Sequence, residues 1–216
     1  CVDHHEQPTL SAEVSLVEPQ AAASGELIDK IRREMNAPLT RDMALCLYAA
    51  ISTDTGNFAF SCTTPDALRT VADCVETGID VDAMNYELFR KRTRARTKLL
   101  GRAIEGMTFP SAGKIALMTL RGGDFAACGA AMADTEGAVN FGVNVEGVLA
   151  AILAVQQGGQ VKFSLRSRGA VNVAALLRPL GGGGHERAAG LTLEGDFDAC
   201  VERVLAVVRE AVEALW

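Results

Sequence analysis

Three short segments hold side chains suited to chemistry, and all three histidines of the chain lie in them. The first is Asp3-His4-His5, which follows Cys1-Val2, a pair that reads as the end of a buried strand. Open α/β sheets bind ligands at the carboxyl ends of their strands, so these side chains are placed to face a crevice. Neutral imidazole ligates transition metals, and a neighbouring carboxylate can ligate too or fix the histidine tautomer from behind. A solvated loop would have the same composition. The second segment is Thr53-Asp54-Thr55-Gly56, at the end of an apolar run. Its carboxylate can be a metal ligand whose flanking hydroxyls hydrogen-bond the carboxylate or a phosphate. A helix-terminating Asx turn accounts for Asp and Gly equally well.

The third segment is Gly181-Gly182-Gly183-Gly184-His185, followed by Glu186-Arg187-Ala188-Ala189-Gly190. Consecutive glycines let backbone N–H groups approach an anion closely, so the run reads as a nest at a helix N-terminus with His185 as an added donor. A flexible loop is the alternative. Upstream, Val161, Phe163 and Leu165 alternate with Lys162, Ser164, Arg166 and Arg168, which predicts a strand with one apolar and one cationic face. Arginine suits bidentate phosphate binding, although a solvated sheet face has the same pattern.

The elements that must position these residues are legible as hydrophobic periodicity. Ser24 is a candidate N-cap for a helix carrying Leu27, Ile28, Ile31 and Met35, closed by Pro38. Thr40 caps a helix from about Arg41 to Ser52 that is apolar nearly all round, as in a buried helix, and that delivers Asp54 at its end. Asn57 to Ser61 reads as a short strand, Thr64-Pro65 as a cap and first helical position, and Gly78 as a stop. From Asp82 to about Met107 the pattern is helical. Seven cations and no acid fall between Arg90 and Arg102, and Pro110 to Gly113 breaks the run. Strands are predicted over Lys114 to Leu120, Val148 to Val155, Gln160 to Arg168 and Leu191 to Leu193. Helices are predicted near Asp124, over Val173 to Leu177, and over a final stripe of Val201, Val204, Leu205, Val208, Val212 and Leu215.

The chain has 216 residues, 49% of them apolar and 22% charged, which describes a foldable globular chain of one large or two small domains, and the alternating strands and helices above make it α/β. Its longest apolar run, Val148 to Val155, is too short to span a bilayer, so no membrane association is expected. The six cysteines are scattered without close pairs, unlike a disulfide framework, and this favours a cytoplasmic location. A net charge of −6 argues against a protein that simply coats long nucleic acid.

Taken together, the motifs resemble the DHH phosphoesterase superfamily. Asp3-His4-His5 is similar to the signature that names it, Asp54 to its following acidic motif, and Ser164-Leu165-Arg166-Ser167 with Gly181 to Gly190 to the associated DHHA1 substrate-binding domain. The resemblance implies the C-terminal portion of a parallel-sheet DHH domain (1–90), a linker helix and turn (91–113) and a smaller α/β DHHA1 domain (114–216). The members resembled include short bacterial oligoribonucleases that also dephosphorylate 3′-phosphoadenosine 5′-phosphate. It further implies phosphoester hydrolysis by a pair of Mn²⁺ ions, with Mg²⁺ as a substitute, on short oligonucleotides or nucleotide phosphates, and it admits a homodimer. By the same resemblance His4 and Asp54 are metal ligands, His5 lies near the scissile phosphate, and Asp3 supports them. Arg166, Ser167, Gly182, Gly183, Gly184 and His185 would hold the substrate. The superfamily's earlier aspartate motifs should precede Asp3, where only Cys1 and Val2 stand. The expectation is therefore a C-terminal piece of an enzyme, inactive alone. The competing readings are a nucleotide- or nucleic-acid-binding module without catalysis, and another enzyme of the superfamily: a single-strand exonuclease, a cyclic-dinucleotide phosphodiesterase or an exopolyphosphatase.

Overall fold

The computed structural model describes residues 1–5 and 12–215, and the chain divides into two compact units, Cys1–Lys91 and Arg92–Trp216. In the first unit, strand β1 (Val2–Asp3) pairs in parallel with β2 (Leu16–Val17), in the register Val2 with Leu16 and Asp3 with Val17. Helices α1 (Ser24–Glu34), α2 (Arg41–Asp54), α3 (Pro65–Glu76) and α4 (Val81–Asn85) follow.

Thr40, Thr64 and Asp80 each cap a helix by accepting a backbone N–H three residues on, and Pro65 occupies the first turn of α3. Ser24 does not cap α1. Ala23 holds the cap position, and the Glu26 carboxylate accepts instead from the Ala22 amide at 3.1 Å. Helix α2 is less enclosed than its composition predicts, since Met43 and Cys46 are exposed while Leu47, Tyr48 and Ile51 are buried. Residues 57–61 form turns rather than a strand. Asn57 and Phe58 take positive φ (55° and 66°), which no extended chain allows.

The single basic helix expected over 82–107 is broken. After α4 the chain makes a π-helical turn over Tyr86–Arg90, Lys91 is extended, and Thr93 caps a new helix, α5 (Arg94–Glu105), through the Arg96 amide at 2.9 Å. The segment 91–113, read from the sequence as a linker helix and turn, contains α5, whose Leu99 and Ala103 are fully buried in the core of the second unit.

That unit is built on a five-stranded sheet ordered β3-β4-β5-β7-β6: β3 (Ile115–Leu120), β4 (Ala150–Gln157), β5 (Gln160–Ser167), β6 (Gly183–His185) and β7 (Ala188–Glu194). β3 and β4 run parallel, and the remaining neighbours are antiparallel. Short helices α6 (Gly122–Cys128), α7 (Val139–Val143) and α8 (Val173–Leu177) and a long α9 (Phe197–Glu213) complete it. One sheet face packs Ile152, Phe163, Leu165 and Leu191 against α8 and α9, whose Val201, Val204, Leu205, Val208 and Val212 are all buried. Leu215 lies beyond α9 and is exposed. The other face packs Met118, Ala151 and Leu153 against Leu99 of α5 and Val139 of α7. The helices of this second face cover β3 and β4. On β5 the same side carries Lys162, Ser164 and Arg166, none of them buried, whereas Val161, Phe163, Leu165 and Ser167 face the core.

The glycine run departs from expectation most. It is not a nest at a helix N-terminus: Gly183–His185 is an edge strand paired with β7, Gly184 opposite Ala189 and His185 opposite Ala188. A Cβ on Gly184 (φ 138°) would stand 2.4 Å from the Ala188 carbonyl oxygen, and one on Gly182 2.8 Å from the Leu177 Cβ. Two of the glycines therefore serve close approach of the chain to β7 and α8.

Candidate metal and phosphate sites

The first candidate site grows from β1. Its Asp3 carboxylate closes a tight turn, with Oδ1 accepting from the His4 amide (2.8 Å), the His5 amide (3.1 Å) and the His5 ring Nδ1 (2.7 Å). The side-chain bond from His5 is the largest influence holding the Asp3 carboxyl below its ordinary range, aided by these amides. Asp3 is thereby spent on shaping the turn, and the His4 and His5 rings meet edge to face at 4.7 Å.

His4 is fixed from a different direction. Its Nδ1 lies 3.3 Å from the Ala21 carbonyl oxygen, which can only accept, so Nδ1 carries a proton and Nε2 is the nitrogen turned toward a ligand. That Nε2 faces Asp54 Oδ2 at 3.5 Å. Ala21 leads into α1, and the Glu26 carboxylate pins its neighbour Ala22 while also accepting from the Thr64 hydroxyl at 3.0 Å. The backbone that orients His4 is in this way tied to the cap of α3.

Asp54 is the last residue of α2, 42% exposed. A carboxylate there faces the negative end of the helix dipole, an arrangement unfavourable by a few tenths to about 1 kcal/mol, and no cation occupies the last turn of α2. The neighbouring hydroxyls do not support it. Thr55 Oγ1 donates to Ile51 O (2.6 Å) and Thr53 Oγ1 to Ala49 O (2.8 Å). The Asp54 side chain is not engaged as an Asx turn either, since the turn is closed by backbone bonds such as Asn57 N to Ser52 O at 2.7 Å.

Two cis ligands at about 2.1 Å from a divalent ion stand about 3 Å apart, so His4 Nε2 and Asp54 Oδ2 fit one ion with a small adjustment. Imidazole plus carboxylate is a donor set suited to Mn²⁺. Among the described residues, however, no group of three or more His, Cys, Asp or Glu side chains is placed to hold a metal. The pair supplies part of a coordination shell.

The second candidate site lies on the open part of the sheet in the second unit. Arg166 stands opposite Ala151 on one side and Ala188 on the other, and Ala188 stands opposite His185. Residues directly opposite share a face, so Arg166 and His185 flank a single methyl group across two strand spacings, about 9.5 Å. The next row is Ser164, Gly190 and Gly183, which has almost no side chain. The result is a shallow floor of Gly and Ala rimmed by a guanidinium, a hydroxyl and an imidazole. Burial pushes the Arg166 guanidinium below its ordinary pKa, and no carboxylate offsets it among the described residues. One of its N–H groups donates to the Leu165 carbonyl at 2.9 Å, and the rest remain for an anion.

Ser167 is placed otherwise. It is buried on the core face and donates to the Val171 carbonyl at 2.6 Å, holding the loop after β5. Ala21 and Glu26 had no signal in the sequence, because one acts through its backbone carbonyl and the other through a carboxylate that accepts from the Ala22 amide and the distant Thr64 hydroxyl.

Residues 123–214 match the DHHA1 domain family. The match lies within the second unit. Along nearly its whole length the chain is also similar to the bifunctional oligoribonuclease and PAP phosphatase NrnA of Thermus thermophilus, 32% identical over 210 residues, which covers 97% of this chain and 63% of that protein. The NrnA protein of Bacillus subtilis is 24% identical over 208 residues, covering 95% and 65%. The chain thus spans somewhat under two thirds of these relatives. The crystal structure of an exopolyphosphatase-related protein from Bacteroides fragilis superposes with a TM-score of 0.86 over 99% of this chain and 62% of its own, at 24% identity. That agreement shows the mixed α/β fold.

Proposed function

We propose that this chain carries the substrate-binding domain and part of the metal site of a divalent-metal-dependent phosphoesterase acting on short oligoribonucleotides and on 3′-phosphoadenosine 5′-phosphate. The observation that carries the reading is the His4–Asp54 pair, its imidazole held through Nδ1 with Nε2 toward the carboxylate and that carboxylate at an unfavourable helix end. The NrnA relatives support the substrate class. A bound Mn²⁺ pair would supply a nucleophilic water and neutralise phosphoryl oxygens. His4 and Asp54 would hold one ion, and Asp3 would keep the His4-His5 turn in shape with the exposed His5 Nε2 free to meet a phosphate. Arg166 and His185 would bind a terminal phosphate over the Ala188–Gly190 floor.

The shortage of donors, together with the third of each relative that the chain does not match, supports remaining ligands from residues outside those described. Activity is accordingly assigned to the full-length protein, in the cytoplasm. A homodimer is part of the same reading. The test is hydrolysis of a short RNA and of 3′-phosphoadenosine 5′-phosphate by the full-length protein in Mn²⁺, in Mg²⁺ and in EDTA. Turnover that survives EDTA refutes the proposal, as does binding without turnover in either metal, which would leave a recognition module.

A further inference from the structure

Beside α7 the second unit has a cavity of about 200 Å³ lined by Arg92, Arg96, Leu100, Asn140 and Phe141, none of them used above. Phe141 is 39% exposed, and the Arg92 guanidinium lies over its ring, 5.8 Å from the centroid. Arg96 donates to the Glu136 carbonyl at 2.7 Å and forms no ion pair among the described residues. The lining also includes Asp134 and Glu136, so the cavity is not a simple anion trap. The Asp134 carboxylate is already engaged, by the Thr93 hydroxyl (3.2 Å) and the Ala131 amide (2.8 Å). What remains is an aromatic face with the Arg92 guanidinium over it, an exposed amide at Asn140 and, at the rim, Glu136. This is the equipment for a flat, uncharged, hydrogen-bonding ring.

The dimensions agree. Stacked rings sit about 3.4 Å apart, so a base between Phe141 and Arg92 needs about 6.8 Å, about 1 Å more than the 5.8 Å from the guanidinium carbon to the ring centroid. Arg92 is exposed and free to lift by that amount. At about 200 Å³ the cavity is smaller than sites for drug-sized ligands, and suits a base rather than a whole nucleotide. It also lies on the Arg166 side of the sheet. Helix α7 packs so closely there that a Cβ on Gly142 would stand 3.0 Å from the Ala151 Cβ, and Ala151 is the residue paired with Arg166.

We infer that this cavity is a base subsite for a second nucleotide of an oligoribonucleotide, with the base stacked on Phe141 beneath Arg92. The inference rests on the oligoribonucleotide reading above. It makes the cavity the feature that separates oligomers from 3′-phosphoadenosine 5′-phosphate, which has a single base to place.

The test is binding of a 5′-fluorescein-labelled pentaribonucleotide to the full-length protein in EDTA, by anisotropy, with 3′-phosphoadenosine 5′-phosphate measured by competition. Phe141→Ala is expected to weaken pentamer binding about 5- to 150-fold, the effect of losing one base–aromatic stack. It should leave the mononucleotide within about twofold. Phe141→Trp should restore pentamer binding, whereas Phe141→Leu, which keeps apolar packing without a ring, should not. Equal losses for both ligands, unchanged pentamer binding in Phe141→Ala, or full rescue by Leu would each overturn the subsite. If the unmodified protein binds the mononucleotide and not the pentamer, the oligoribonucleotide reading falls and the subsite with it. Binding of both without any effect of Phe141→Ala removes the subsite alone.

Discussion

Replacing Glu26 with alanine should both destabilise the first unit and loosen the candidate metal site at His4 and Asp54. The Glu26 side chain is 4% exposed and accepts from the Ala22 amide at 3.1 Å and the Thr64 hydroxyl at 3.0 Å. Ala22 is 1% exposed, so removing the acceptor leaves a buried N–H unpaired, which costs about 1–3 kcal/mol. The lost Thr64 bond adds about 1 kcal/mol. Lys30 contributes little to the difference, since it is 43% exposed and keeps Glu18 at 2.7 Å. The total is about 2–4 kcal/mol. For a unit of this size each kcal/mol moves the midpoint by about 4–8 °C, so thermal unfolding followed by calorimetry should show the first-unit transition at least about 8 °C lower. Glu26→Gln keeps a carbonyl oxygen for the Ala22 amide and should recover most of the loss. Because Ala21 carries the carbonyl that orients His4, the alanine variant should also bind Mn²⁺ more weakly. A midpoint within 2 °C of the parent would refute the clamp.

The second site gives a binding phenotype. Arg166→Ala should weaken nucleotide binding by at least about tenfold, the scale of one charge-assisted hydrogen bond, and His185→Ala should raise KM with kcat little changed; steady-state kinetics showing an unchanged KM for both would contradict the cradle. Gly184→Ala should destabilise the second unit by about 2–5 kcal/mol, since it adds a positive-φ penalty to a 2.4 Å contact with the Ala188 carbonyl, and denaturant titration reads the loss directly. The pH response of the first unit should depend on Asp29. Burial pushes its carboxyl up, but hydrogen bonds from Arg33 and Arg32 at 2.7 Å outweigh this and hold it below the ordinary carboxylate value. A depressed folded pKa means stability that is fully present above the ordinary value near 3.8 and lost as pH falls through the folded one. Asp29→Asn should therefore flatten the acid limb of a stability–pH curve, and an unchanged slope below that value would contradict the assignment.

Most of the scaffold was legible because it rests on local signals. The α9 stripe, the Thr40, Thr64-Pro65 and Gly78 punctuation, and the alternation of Val161, Phe163 and Leu165 each follow from residues close in sequence. What could not be read was non-local or carried by the backbone. The glycines of β6 have the composition of an anion nest, and only pairing with Ala188 to Gly190 shows that they form an edge strand. The two-residue strand β2 is too short to leave a periodicity, and the turn at Asn57-Phe58 puts an aromatic where a positive φ gave no warning. The basic stretch looked like one helix because its charge pattern is continuous across the break at Lys91–Thr93. At the site, residue identity pointed to His4 and Asp54, but the tautomer came only from the Ala21 carbonyl. Ser167 shows the converse: in the strand motif it resembles a ligand-binding hydroxyl, yet alternation alone places it on the Phe163 side, facing the core.

If His4 and Asp54 share one divalent ion, phosphoester hydrolysis depends on both side chains. The direct measurement is Mn²⁺-dependent hydrolysis of a short RNA by the full-length protein beside its Asp54→Ala and His4→Ala variants, over a Mn²⁺ titration with folding checked by circular dichroism. Folded variants without turnover at any Mn²⁺ concentration are the predicted result. Near-normal rates at saturating Mn²⁺ in either variant would contradict it.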